Sequence, residues 1–276
     1  MEIKDLLEQS NKLPNIPAII REIIQTINNP DADYGDISHK IAQDQTLSLK
    51  VLRLVNSAHF GLSRKVDSID EAVVMLGMGK LKTLVVASGF ANCAKDVEGL
   101  NLSDFWADVF QVAEISKWLA QISTTNISAD LAFTTGIIHN IGQLLLHMAQ
   151  PNRAIAIKAL VDSSQDNRLH AEQERLGFTS ADAGAALLEL WRFPQTLADA
   201  VKYQHSPADA PDSKQLSAII NLACFINKES KNNDALENIC QRIPQDIALL
   251  AGISVSPEEY IADALAIESN LSGLVA

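Results

Sequence analysis

Aromatic residues are few in this chain, 5% of its 276 positions, and the apolar remainder is mostly Ala, Leu, Ile and Val. Stacked β-sheets draw on aromatic and β-branched side chains, whereas Ala and Leu head the helix scale, so the balance points to helix-on-helix packing. Cysteine is scarce too. Cys93, Cys224 and Cys240 are an odd set without CxxC spacing, the pattern of reduced thiols in a cytoplasmic protein. Positive charge is in short supply: 22 Lys and Arg face 34 Asp and Glu, for a net charge of −12. Such a surface repels phosphate backbones and anionic lipids at long range, which argues against nucleic acid or membrane as a partner. Stretches as apolar as Leu84–Ala87 are far too short to cross a bilayer, and Met1–Asp5 (MEIKD) has no leader character. A cytoplasmic protein is expected.

What is present suits a globular helical chain. Hydrophobic residues make up 47% and charged residues 20%, enough apolar surface for a proper core. Pro14 and Pro17 predict a helix start for Ile16–Ile27, because a proline in the first turn gives up an N–H that would lack a partner anyway. Asn28–Asp31 reads as a turn. Ser68–Glu71 and Ser256–Glu259 read as capping boxes, and Ser103, Ser128 and Ser163 as further N-caps. Leu131, Ile138, Ile141 and Leu145 fall on one stripe of a helix running from about Asp130 to His147. No sustained two-residue alternation and no Asn-Gly hairpin signal appears. The expected class is all-α, organised as an N-terminal helical lobe (1–98), a second helical lobe (99–227) and a C-terminal helical extension (228–276). The polar run Lys228–Asp234 is expected to be a loop between the last two.

Several chemistries find no footing. Leu76-Gly77-Met78-Gly79-Lys80 lacks the spacing of a phosphate-binding loop, and no Ser–His–Asp or Cys–His set is readable. Arg64, Lys65, Lys80 and Lys82 are expected to be solvated charges. Asn56, Ser57, Phe60 and Gly61 suit a helix end followed by a tight turn.

The segments Leu13-Pro14-Asn15-Ile16-Pro17, Asn29-Pro30-Asp31-Ala32, Ile41-Ala42-Gln43-Asp44-Gln45-Thr46-Leu47 and Lys50–Gly61 (KVLRLVNSAHFG) come in a distinctive order, followed by Ser68–Val73 and Leu76-Gly77. Together they resemble the HDOD family over roughly residues 13–225. The resemblance implies an all-helical bundle of two packed lobes, related to the HD-type metal phosphohydrolases and found in bacterial signalling. HD enzymes hold divalent metal in a ring of His and Asp; the metal acidifies a bound water and neutralises phosphate oxygens.

Carried over residue by residue, the pattern departs from that ring. Gly136–Gln143 lies where the His-Asp pair belongs: His139 is kept, Asn140 stands for the Asp, and Gln143 stands for a Lys. Asp108 and Ser180 occupy His positions, and Gln204 replaces the first member of a His pair that ends in His205. Asp182 follows Ser180 by two helical residues, about 200° around the axis, and so points away. No catalytic residue, no metal and no cofactor is therefore expected. His139, Asn140, Asp108, Ser180, Gln204 and His205 are expected to line a residual pocket, as a neutral hydrogen-bond network or a polar ligand site. The implied function is a non-catalytic signalling or scaffold module that binds a protein partner, with a small nucleotide as a further ligand. The alternative is a phosphohydrolase acting on a nucleotide or cyclic dinucleotide, with His139, His205 and Asp108 as metal ligands. A nucleotide receptor would need aromatic or Arg faces lining a cleft, for which Arg153, Arg168 and Arg192 are the arginine candidates.

Overall fold

The computed structural model describes residues 2–10, 26, 33–43, 45–56, 64–77, 81, 85, 97–164, 167–232 and 234–267. The helix start at Pro14 and Pro17, the turn at Asn28–Asp31, the stretch Ser57–Gly61, and Lys80, Lys82 and Cys93 lie outside them. The fold is all-α, with no strand among the described residues. In chain order the helices are α1 (Ile3–Ser10), α2 (Tyr34–Ala42), α3 (Gln45–Val55), α4 (Leu102–Ile122), α5 (Ala129–Ile138), α6 (Ile141–Ala149) and α7 (Pro151–Ser164). They continue as α8 (Arg168–Leu176), α9 (Ser180–Leu190), α10 (Gln195–Lys202), α11 (Lys214–Glu229), α12 (Leu236–Arg242), α13 (Gln245–Leu250) and α14 (Pro257–Leu265). A further helical stretch covers 69–77.

The chain divides into two compact units: Met1–Asn11 with Glu98–Leu100 and Ala107–Ser269, and Lys12–Val97 with Asn101–Trp106 and Asn270–Ala276. In the second of these, α2 packs on α3 through Ile37, Ile41, Leu47, Val51 and Val55, all fully buried. Asp33 caps α2 by accepting from Asp36 N at 2.8 Å. Asn56 ends α3 as a clasp: its amide donates to Val66 O at 2.6 Å while its carbonyl accepts from Val66 N at 2.8 Å. Arg64 is solvent-exposed, as expected, and is ion-paired with Glu71.

The larger unit holds the main core. α11 runs through it, packing on α5, α10, α13 and α14 with Leu216, Ile219, Leu222, Ala223 and Ile226 fully buried. α9 packs on α6 and α10, and receives α1. Ser128 caps α5 as expected, accepting from Leu131 N at 3.1 Å. Other expected caps shift. Asn101, not Ser103, begins α4 by accepting from Ser103 N at 3.0 Å. Ser163 falls in the last turn of α7, and Asn167 caps α8 instead, accepting from Leu169 N at 3.0 Å. Ser256 stands at the N-cap of α14 without a side-chain cap bond.

Two corrections bear on the site. The helix expected from Asp130 to His147 is broken into α5 and α6, because Asn140 leaves the helical region at φ −108°, ψ 16°. The expected loop at Lys228–Asp234 begins later: α11 continues to Glu229, so Lys228 is helical and the chain turns away only beyond Glu229.

Candidate functional site

The break between α5 and α6 presents His139 and Asn140 side by side, as C-cap of one helix and N-cap of the next. Glycine holds the break on both sides. A Cβ on Gly136 would overlap the backbone of Ala113 in α4, and one on Gly142 would overlap Ser180 O and crowd Gly184 N in α9. The two helices are thus pressed against α4, which carries Asp108, and α9, which begins with Ser180. Gln204, just beyond α10, closes the turn from below: its amide donates to His139 O at 2.9 Å and to Val201 O at 3.0 Å. Asn221 of α11 donates in turn to Gln204 O at 2.7 Å.

These elements enclose a cavity of about 600 Å³ lined by Asp108, His139, Asn140, Ser180, Gln204 and His205. All six residues carried over from the family pattern therefore meet at one place. Asp182 does not join them; it closes a capping box with Thr179. The wall also includes residues absent from the expected set: Asn167, Asn227, Lys228 and Lys231, with Cys224 behind. Of the three arginine candidates, Arg168 lines the cavity and Arg153 and Arg192 do not.

Each side chain has a definite electrostatic state. His139 is 8% exposed, and its Nδ1–H donates to Gly136 O at 2.6 Å, so the neutral ring keeps its lone pair on Nε2. Burial lowers its pKa to about 4, outweighing the bond to Gly136, with His205 lowering and Asp108 raising it slightly. His205 is exposed as a residue, yet the protein crowded around its ring also lowers its pKa. Burial pushes the Cys224 thiol up to about 12, so it is no thiolate nucleophile. Asp108 is ion-paired with Lys231. Asn140 donates from its amide to Gln143 Oε1 at 2.8 Å. Glu172, fully buried, binds Arg168 Nε at 2.7 Å and accepts from Ser180 N at 2.6 Å, tying α8 to the start of α9.

A divalent metal in an HD ring needs several neutral imidazoles and at least one free carboxylate converging on one point. Here the half-exposed carboxylate of Asp108 is ion-paired with the ammonium of Lys231, and the residue beside His139 is an amide bonded to another amide. Among the described residues no three His, Cys, Asp or Glu side chains group as a metal ligand set. At these two points the donor set departs from the one such a metal needs.

An all-helical chain whose His–Asn turn replaces a His-Asp pair is an HD-type domain by architecture. The sequence pattern of the HDOD domain matches residues 13–207, and the chain belongs to the HDOD family. A solved protein from Shewanella amazonensis SB2B, provisionally named a phosphohydrolase, superposes with a TM-score of 0.75 at 33% identity, over 98% of this chain and 96% of that one. A protein of Treponema pallidum is 24% identical over 257 residues, 93% of this chain and 49% of its own. The cyclic di-GMP phosphodiesterase CdgJ of Vibrio cholerae is 30% identical over 130 residues, 46% of this chain and 28% of its own. The chain thus spans about half or less of these curated relatives. No helix among the described residues is long and apolar enough to cross a membrane.

Proposed function

We propose that this chain is a non-catalytic HDOD module of bacterial signal transduction, which acts by presenting its helical surface to a protein partner and holds a small polar ligand in the cavity at His139. The observation that carries this reading is the Lys231–Asp108 ion pair. It sets an ammonium against the carboxylate that a metal would need, so a cation entering the cavity would have to displace Lys231 before Asp108 could serve as its ligand. The Asn140–Gln143 amide pair supports it, since a hydrolytic centre would want an anion and a cation at those two positions. The signalling context is supported by the name of CdgJ, a phosphodiesterase of a second messenger, although that match covers a minor part of its length.

The competing reading is a phosphohydrolase using His139, His205 and Asp108, favoured by their convergence on one cavity. Hydrolysis of bis(p-nitrophenyl) phosphate and of cyclic di-GMP, assayed with Mn²⁺ and with Fe²⁺, separates the two. No turnover above that of buffer with metal is expected. Turnover that disappears in His139→Ala would make the chain an enzyme.

A further inference from the structure

The cavity wall reverses the sign of the molecule. In a chain of net charge −12, three cations line it, Arg168, Lys228 and Lys231, against the single carboxylate of Asp108. Asp108 holds Lys231, and Glu172 holds the Nε edge of Arg168. Lys228 has no carboxylate partner among the described residues. A concave site with an excess of positive charge and low-dielectric walls concentrates anions.

The uncharged part of the wall says what kind of anion. Three polar side chains that are at least nine-tenths buried line the cavity with no protein partner among the described residues: His139 through Nε2, the Ser180 hydroxyl and the Asn227 carboxamide. Their polar atoms are not among the fully buried, partnerless ones; they open onto the cavity, where water or a ligand atom can meet each of them. His139 is the most selective of them. Its Nδ1–H is committed to Gly136 O, so Nε2 can only accept, and the group that meets it must donate. A bare oxyanion cannot do so; a hydroxyl can. Ser180 and Asn227 each donate and accept, as hydroxyl recognition requires. No Phe, Tyr or Trp is among the lining residues, so a nucleobase would find no aromatic platform, only the guanidinium of Arg168, whose Nε edge Glu172 already holds.

We propose that the cavity binds a phosphorylated polyol, a sugar phosphate or glycerol phosphate, with its phosphate on Lys228 and Arg168 and its hydroxyls on His139 Nε2, Ser180 and Asn227. A volume of about 600 Å³ suits a ligand of that size. Arg168 supplies directed donors and Lys228 a mobile point charge, a pairing that suits a phosphate monoester. The inference rests on the non-hydrolytic reading of the same cavity, because the phosphoester must survive there to act as a ligand.

Calorimetric titration of the whole chain with glucose 6-phosphate, glycerol 3-phosphate and AMP tests this, with phosphorus NMR of each mixture after incubation. One of the two polyol phosphates is expected to saturate a single site and to bind more tightly than AMP. Lys228→Gln, an exposed position that the fold does not need, is expected to weaken it about tenfold or more. Lys214→Gln at the far end of α11 serves as the charge control and should leave affinity unchanged. Absence of heat with both polyol phosphates up to about 10 mM, tighter binding of AMP, or equal affinity in Lys228→Gln would each overturn the ligand class. Release of inorganic phosphate from a bound ester would leave the ligand class standing and overturn the non-hydrolytic reading. Intact esters with no binding would do the reverse.

Discussion

Burial keeps the His139 imidazole neutral, and that neutrality has a measurable cost in acid. With its pKa lowered from 6.5 to about 4, the folded protein resists a proton that the unfolded chain accepts. The stability this ring contributes is therefore complete above about pH 6.5 and is lost as pH falls from there to about 4. The loss amounts to about 3 kcal/mol from His139. His147, fully enclosed and bonded through Nδ1 to Glu98 O at 3.1 Å, and His205 are lowered by burial as well and act in the same direction. Urea unfolding at pH 7.5 and pH 5 should show the midpoint drop, and His139→Gln should flatten the difference. An equal midpoint at both values would contradict the buried neutral ring. All six pocket residues were legible from the family pattern, because substitutions at aligned positions still fold to one spot. Lys228 and Lys231 were not, since a run reading KESKNND looks like solvated loop whichever of its lysines turns inward.

Between elements, the site depends on how closely α6 and α9 cross. Gly142→Ala places a methyl against Ser180 O and Gly184 N, backbone atoms that cannot swing aside. We expect it to destabilise the protein by about 1–3 kcal/mol or more, read as a lower urea midpoint at an unchanged slope. Gly177→Ala, at the end of α8 with φ 84° and open space around it, strains only its own backbone and should cost about 1 kcal/mol. The break between α5 and α6 was illegible in the sequence for a simple reason. Leu131, Ile138, Ile141 and Leu145 keep helical spacing straight across His139 and Asn140, so periodicity alone continues the helix. The caps failed in a similar way. Asn101 lies two residues from Ser103 and Asn167 four from Ser163, and each side chain is a good N-cap, so composition places a start without choosing its residue.

At the scale of the molecule, the all-α class was legible because composition, capping signals and missing alternation agree. The sign of the cavity was not, because a net charge of −12 describes the whole surface and not one recess. Core and cavity are joined through α11, whose buried face carries Ile219 while its last turns bring Cys224, Asn227 and Lys228 to the wall. Ile219→Ala should cost about 2–5 kcal/mol and lower the thermal midpoint of the larger unit. The Arg242 guanidinium, paired with Glu229 and at 2.6 Å with Asp234, ties the turn after α11, which carries Lys231, to α12. We propose that an ion pair and an amide pair stand where an HD-type enzyme would hold its metal. Elemental analysis of tag-free protein grown with Mn²⁺ and Fe²⁺, alongside Asn140→Asp, tests it most directly. The wild type is predicted to carry no more than a trace of either metal per chain. Near-stoichiometric Mn or Fe in the wild type would mean that the cavity has assembled another ligand set, and would contradict the claim.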